Sequence, residues 1–217
     1  MLDSARSWVE GWTVSRRTPK PVDVPWGLRI AVGLPDQAVR HVLLDTDADT
    51  DAETARRLID SVTEPVTWVK AFLEPDVMEP WFSSAWEPTD PGFLMAVDLR
   101  PALVRAPDGY SLTTETTETA EDVTYVRVLA PGGELAARGQ IALTDAACVF
   151  DQIVTETAHQ RLGLGTVVMG TLTNAAVESG VTAGLLGATV QGRALYETLG
   201  WKVLGPLTGF IHQPFAR

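Results

Sequence analysis

Cysteine is almost missing from this chain: Cys148 is the single one among 217 residues. One cysteine excludes an intrachain disulfide framework and fits a reducing compartment. Its place in the apolar run from Ala147 to Phe150 marks it as a small core residue rather than a nucleophile. A basic surplus is missing too, with 17 Lys and Arg against 28 Asp and Glu and a formal net charge of −11. That argues against nucleic-acid binding, which needs a cationic footprint to neutralise phosphates. Acidity is compatible with a cationic or amine partner, and it serves solubility in any case. No uninterrupted apolar run reaches the length that a bilayer demands. The first twelve residues, MLDSARSWVEGW, lack the basic start and apolar core of a secretory leader. The expected location is therefore cytoplasmic, with no membrane partner. The acidic stretch from Asp45 to Asp51 lacks the central glycine and closing glutamate of a calcium-binding loop, so no metal is expected. What the chain has is apolar material: 45% hydrophobic residues and a mean hydropathy of +0.06, enough for a sizeable core.

One stretch organises the rest. Ala147, Cys148, Val149 and Phe150, with Ile153 and Val154, read as a strand. A polar link follows and ends in Gln160-Arg161-Leu162-Gly163-Leu164-Gly165. Apolar residues at Leu164, Val168, Leu172 and Ala175 or Ala176 then fall three to four apart, the period of a helix. A helix that begins inside a glycine segment leaves its first N–H groups without partners. Together with the positive end of the helix dipole, they make a seat for a phosphate or pyrophosphate. Glycine lets a ligand oxygen approach the main chain closely. A tight turn that merely packs a helix on a sheet is the competing interpretation of this segment alone. No Gly-Lys-Ser/Thr follows, so it is not a Walker loop. Two glycines rather than three, and no acidic residue where a ribose would be read, make it a poor dinucleotide fingerprint.

After the helix comes the short apolar run Ala183 to Thr189, then Gly192-Arg193-Ala194-Leu195-Tyr196-Glu197-Thr198-Leu199-Gly200-Trp201. Gln-x-x-Gly-x-Gly, a helix, a strand, and Leu-Tyr-Glu-x-Leu-Gly-Trp in that order resemble the GNAT superfamily of acyl-CoA-dependent N-acyltransferases. The resemblance covers about residues 109 to 210 and implies an α/β (α+β) fold with a mixed, splayed central sheet flanked by helices. It implies acyl-CoA as co-substrate, acetyl-CoA by default, and a small-molecule amine or peptide amine as acceptor. A non-catalytic acyl-CoA-binding or sensor protein is the alternative. A homodimer and a monomer both stay open.

The remaining chain is less explicit. Residues 1 to 27 read as irregular, with Trp8, Trp12 and Trp26 covering a core edge among Pro19, Pro21 and Pro25. Strands are expected at 28–32, 38–44, 67–73 and 92–99, and helices from Asp51 to about Val62 and from Asp76 to Ala85. This order matches the later half of a GNAT domain. Two alternatives stand: a degenerate GNAT-like unit over 28–99 without a phosphate turn, or an unrelated α/β extension. Pro101 and Pro107 mark a boundary that divides the chain into 1–105 and 106–217. In the second half Tyr110 to Thr116 reads as a strand, and 123–129 with 135–143 as a hairpin around Ala130-Pro131-Gly132-Gly133-Glu134. A last strand is expected at Gly209 to His212. Family members usually carry two helices between their first two strands, which often shape the acceptor pocket. Residues 117–122 leave no room for them, so the N-terminal half is expected to supply the missing wall.

The resemblance also assigns roles. Gln160, Arg161, Leu162, Gly163, Leu164, Gly165 and Thr166 would hold the pyrophosphate. The strand from Asp151 to Thr155, with Ile153 and Val154, would pair with the pantetheine arm and polarise the thioester carbonyl. Tyr196 would be the general acid that protonates the leaving thiolate. Asp151 or Glu156 would be the base, with His159 a weaker candidate. Thr189 stands where the family often has asparagine and keeps only a hydroxyl for the coenzyme arm. Arg193 would compensate by approaching the phosphates.

Overall fold

The computed structural model describes residues 2–44, 51–117, 123–145 and 147–213. The expectations for residues 45–50 and 118–122 lie outside the described residues.

The chain opens with a helix, α1 (Leu2–Arg16). This corrects the irregular segment expected for residues 1–27. Ala5, Trp8, Val9 and Trp12 recur at helical spacing, and all four are buried. The tryptophans and Gly11 masked that period, and the prolines begin only after the helix has ended. Strands β1 (Val22–Val24), β2 (Gly27–Leu34) and β3 (Gln37–Leu43) form an antiparallel meander. A crossover through α2 (Asp51–Ser61) returns the chain as β4 (Thr67–Ala71), parallel to β3. The helix expected at 76–85 is one turn, α3 (Pro75–Met78), and a 3₁₀ turn at Glu79–Trp81. Pro80 cannot donate into a longer helix, and the short strand β5 (Trp86–Pro88) takes up the remainder. Strand β6 (Gly92–Asp98) follows.

The second half runs β7 (Ser111–Thr116), β8 (Val123–Leu129) and β9 (Leu135–Leu143), then β10 (Cys148–Thr155). Helix α4 (Leu164–Glu178) crosses to β11 (Ala183–Thr189), parallel to β10. Helix α5 (Val190–Thr198) leads to β12 (Lys202–His212), which begins well before the strand expected at Gly209.

All twelve strands join one mixed sheet in the order β1-β2-β3-β4-β12-β6-β11-β10-β9-β8-β7, with β5 beside β12. In each half a parallel pair is bridged by a helix, β3/β4 by α2 and β10/β11 by α4. The neighbour of each pair comes from the other half of the chain. Strand β12 lies antiparallel to β4, and β6 lies antiparallel to β11. The two exchanged strands pair with each other at the centre. The expected α/β fold with a mixed sheet and flanking helices is therefore present.

Two layers cover the sheet. On one face α4 and α5 bury Val168, Leu172 and Tyr196, with Trp201 from the turn after α5, against Val126, Ile141, Phe150 and Leu186. Gly139 lies under α4, where a Cβ would come within 2.5 Å of Ile153 and 2.6 Å of Val168. On the other face α1 lies across strands of both halves, with Trp8, Val9 and Trp12 against Ile30, Val42, Leu94, Val149 and Leu185. Gly11 touches β10 so closely that a Cβ would stand 2.3 Å from Val149.

Candidate active site

Strands β10 and β11 pair only from Cys148 to Phe150. Beyond that point they part. The pairing of β10 with β9 slips between Asp151 and Val154, a bulge in which Gln152 takes φ +54°. A bulge bends its strand and increases the local twist, so β10 swings away from β11. The side of β10 that faced β11 then has main-chain groups free to pair with an extended ligand. Ile153, Val154 and Thr155 all lie on this freed segment.

The glycine turn closes one end of the cleft. A 3₁₀ turn at Thr157–His159 precedes it, and Gly163 is the N-terminal cap of α4 with φ +78°. Only glycine adopts that angle without strain, and nothing lies within 4 Å of where its Cβ would be. Arg161 also takes a positive φ, +65°. Among the described residues, the N–H groups from Arg161 to Thr166 donate no hydrogen bond; the first bonded one is Val167, to the carbonyl of Gly163. A run of unpartnered donors at the positive end of a 15-residue helix has the geometry that favours an anion. Leu162 and Thr166 are exposed beside it, Leu164 is buried beneath it, and Gly165 backs onto Leu195 of α5. Gln160 turns back along the chain, its amide donating to the Thr155 carbonyl at 3.3 Å.

Tyr196 lies on α5, 7% exposed, against Trp201 and Gly192. Its hydroxyl makes no hydrogen bond among the described residues. Burial first, and then the Asp151 carboxylate, pushes its pKa up to about 12. The phenol thus stays protonated at neutral pH. Thr189 caps α5, its hydroxyl accepting from the N–H of Gly192 at 3.0 Å. Arg193 is turned along α5 to Glu197 at 2.7 Å and over the ring of Phe93.

Asp151 faces the α1 side. Its carboxylate accepts from Arg16 Nη2 at 2.9 Å, from Arg16 Nε, from Ser15 at 2.8 Å and from the N–H of Gln152 at 2.8 Å. To take a proton it must first release one of these donors. Glu156 is exposed, with its main-chain N–H on Ala136. His159 bonds the hydroxyl of Tyr110 at 3.0 Å and packs edge-on against its ring. These contacts make His159 a clamp between the turn and the segment before β7.

Ser15, Arg16 and Arg17 at the end of α1 form one wall of a cavity of about 650 Å³, whose other walls include Glu115, Tyr125, Arg127, Gln140 and Gln152. Through Ser15, Arg16 and Gln152 it adjoins Asp151. Its α1 wall comes from the N-terminal part of the chain. A larger cavity, about 870 Å³, opens beside the opposite end of β11 and touches the predicted residues only at Thr166. Among the described residues, four non-glycine residues take positive φ, and three of them (Arg17, Gln152 and Arg161) border the cleft or the 650 Å³ cavity. Backbone strain of this kind persists where surrounding structure enforces it and concentrates at functional sites.

Arg16, Ser15 and Arg17 escape a reading by motif. They belong to a segment without a motif; Ser15 and Arg16 meet Asp151, and Arg17 meets Tyr125, only through the docking of α1.

No family model matches the sequence, and no curated protein does either. Solved structures do match. A GCN5-related N-acetyltransferase from Kribbella flavida aligns over 96% of this chain and 95% of its own, with a TM-score of 0.64 and 18% identity. A putative acetyltransferase of the GNAT family from Novosphingobium aromaticivorans aligns over 98% and 99%, with a TM-score of 0.58 and 14% identity. A tandem GNAT protein from the clavulanic acid biosynthesis pathway aligns over 82% and 76%, with a TM-score of 0.56 and 14% identity. The first two matches run across nearly the whole chain, both halves included. The protein has the fold of the GCN5-related N-acetyltransferases.

Proposed function

We propose that this protein transfers an acyl group, by default acetyl, from acyl-coenzyme A to the amine of a small molecule or peptide by direct attack. The observation that carries this reading is the unpartnered N–H row from Arg161 to Thr166, next to the freed side of β10.

Acyl-CoA supplies a thioester carbonyl, and the chain's own groups do the rest. The N–H row and the end of α4 hold the pyrophosphate. The main chain of Ile153 to Thr155 pairs with the pantetheine amides and orients the carbonyl, with an N–H of the bulged strand polarising its oxygen. The amine nitrogen forms a bond to the carbonyl carbon from the α1 side, and the carbon–sulfur bond breaks. Tyr196 gives its proton to the departing sulfur. The proton of the attacking amine leaves to Asp151 or Glu156, directly or through water. Thr189 and Arg193 are already engaged within α5, so their part in coenzyme binding is secondary to the turn. No metal is required for this chemistry.

Tyr196→Phe tests the assignment. General acid catalysis contributes about 10²–10⁴-fold in rate. The expected outcome is a fall in kcat of at least about 100-fold with acetyl-CoA affinity nearly unchanged. Unchanged turnover in this variant would remove Tyr196 from the mechanism. Tight coenzyme binding with no acceptor ever acylated would favour a sensor instead.

A further inference from the structure

The chain as a whole is acidic, with a formal net charge of −11. The 650 Å³ cavity at the end of α1 runs the other way: among the described residues it is lined by three arginines, Arg16, Arg17 and Arg127, against one carboxylate, Glu115. Its floor is the sheet. Strand pairing sets Asp151, Gln140, Tyr125 and Glu115 in one row across β10, β9, β8 and β7. Directly paired side chains share a face of the sheet. Asp151 and Gln140 both bond Ser15, so this row faces α1. Arg127 lies two residues beyond Tyr125 on that same face, roughly 7 Å along the strand. No aliphatic side chain lines the cavity among the described residues, which suits a polar acceptor.

The three arginines differ in how far they are engaged. Arg16 has Asp151 as its counter-ion. Arg127 reaches Glu115 through Nη1 alone, at 3.4 Å from each carboxylate oxygen. The side chain of Arg17 makes no hydrogen bond or ion pair among the described residues; its guanidinium stands 5.8 Å from the centre of the Tyr125 ring. A second observation falls on the same residue. The main chain at Arg17 closes α1, its N–H donating to the carbonyl of Val14 at 3.1 Å while the N–H of Thr18 donates to the carbonyl of Thr13 at 3.0 Å. Arg17 takes φ +53° to do so. Glycine is the usual residue at this kind of helix ending, because a Cβ is unfavourable at positive φ. Position 17 holds arginine nevertheless, at a cost in backbone strain and with no partner in the chain to offset it. Strain of this kind at a cavity wall points to a partner from outside.

Resting on the acyltransferase reading, we propose that Arg17, with Arg127, holds an anionic group of the acceptor, a carboxylate or a phosphate, so that the acceptor is an amine that also carries an anion. Guanidinium donors suit either group. On that reading the amine reacts beside Asp151 on β10, and Tyr125, under Arg17, stands two strands away on β8, roughly 10 Å. The amine and the anion are therefore several bonds apart, as in an ω-amino acid, rather than on one carbon.

Calorimetric titration of the full chain, saturated with coenzyme A, tests this. The probes are N-acetylglycine, N-acetyl-γ-aminobutyrate and N-acetyl-ε-aminocaproate, each paired with its uncharged amide, and N-acetylaminopentyl phosphate paired with N-acetylaminopentanol. At least one of the longer anions is expected to bind about tenfold or more tightly than its uncharged partner, and by a larger factor than N-acetylglycine over its amide. The pair that shows the preference identifies the anion as carboxylate or phosphate. Arg17→Gly relieves the positive φ, so its urea midpoint is expected to stay equal or rise while the preference is abolished. Arg127→Gln, on β8 rather than α1, is expected to reduce the preference as well. Absence of a preference in every longer pair, absence of binding across the panel, a preference as large for N-acetylglycine, or one that survives either variant undiminished each overturns the proposal. Acetyl-CoA binding is measured separately on the same protein. Its loss would strike the acyltransferase reading, whereas coenzyme binding without an anion preference strikes this proposal alone.

Discussion

His41 and Tyr196 are buried titrating side chains held in their neutral forms, and each makes pH a probe of its surroundings. His41 accepts from the indole N–H of Trp26 at 3.3 Å, and burial, then Arg29, lowers its pKa to about 4. The unfolded chain therefore takes up this proton first as pH falls. The stabilisation is complete above about 6.5 and is lost on acidification through about 4. By linkage it amounts to at most about 3 kcal/mol. Urea midpoints of wild type and His41→Gln should converge as pH drops from about 7 to about 4.5, and a constant gap would contradict a buried neutral imidazole. At the same scale, the proposed coenzyme half of the site was readable from the chain because a glycine turn and a tyrosine at fixed offsets are local. The proposed acceptor half was not. Arg16 meets Asp151 across 135 residues of sequence.

Helix α1 carries the proposed acceptor wall, and Gly11 sets how closely it seats on β10. Alanine at position 11 would gain about 1 kcal/mol in helix propensity over glycine. Its Cβ, however, would stand 2.3 Å from Val149 and 3.1 Å from Thr144, so α1 must lift from β10. Overpacking of this order costs about 1–3 kcal/mol. Gly11→Ala should thus destabilise the fold despite the better helix former, and should weaken acceptor binding more than acetyl-CoA binding. A stabilised variant would show that α1 is free to shift. The helix itself was hidden because its apolar face is built from bulky aromatics interrupted by a glycine, whereas α2 and α4 present the usual three-to-four period. The 76–85 segment shows the converse: Pro80 limited a helix whose apolar residues fit the pattern.

Across the whole molecule, the exchange of β6 and β12 ties the two halves into one sheet. Nothing in a strand's period of two says which partner it will choose, so sequence indicates that β6 and β12 exist but not that each crosses to the other half. Residues 106–217 alone would lack β6, leaving one edge of β11 and the first part of β12 unpaired, and would lack the α1 cover over Val149 and Leu185. That fragment is expected to be unfolded or aggregated by circular dichroism, and a cooperatively folded fragment would show that the exchange is dispensable. The same architecture serves the central claim, that α4 and the freed side of β10 form an acyl-CoA seat. Calorimetric titration of acetyl-CoA into wild type and Gly163→Asp tests it most directly. Aspartate tolerates a positive φ better than most residues, and the space at position 163 is open, so the variant should fold while its carboxylate repels phosphate. Micromolar binding, about 8 kcal/mol, is expected for wild type, and its loss by about 100-fold or more for Gly163→Asp. Equal affinity in the two proteins would place the coenzyme elsewhere, and no binding to wild type would reduce the glycine turn to a packing device.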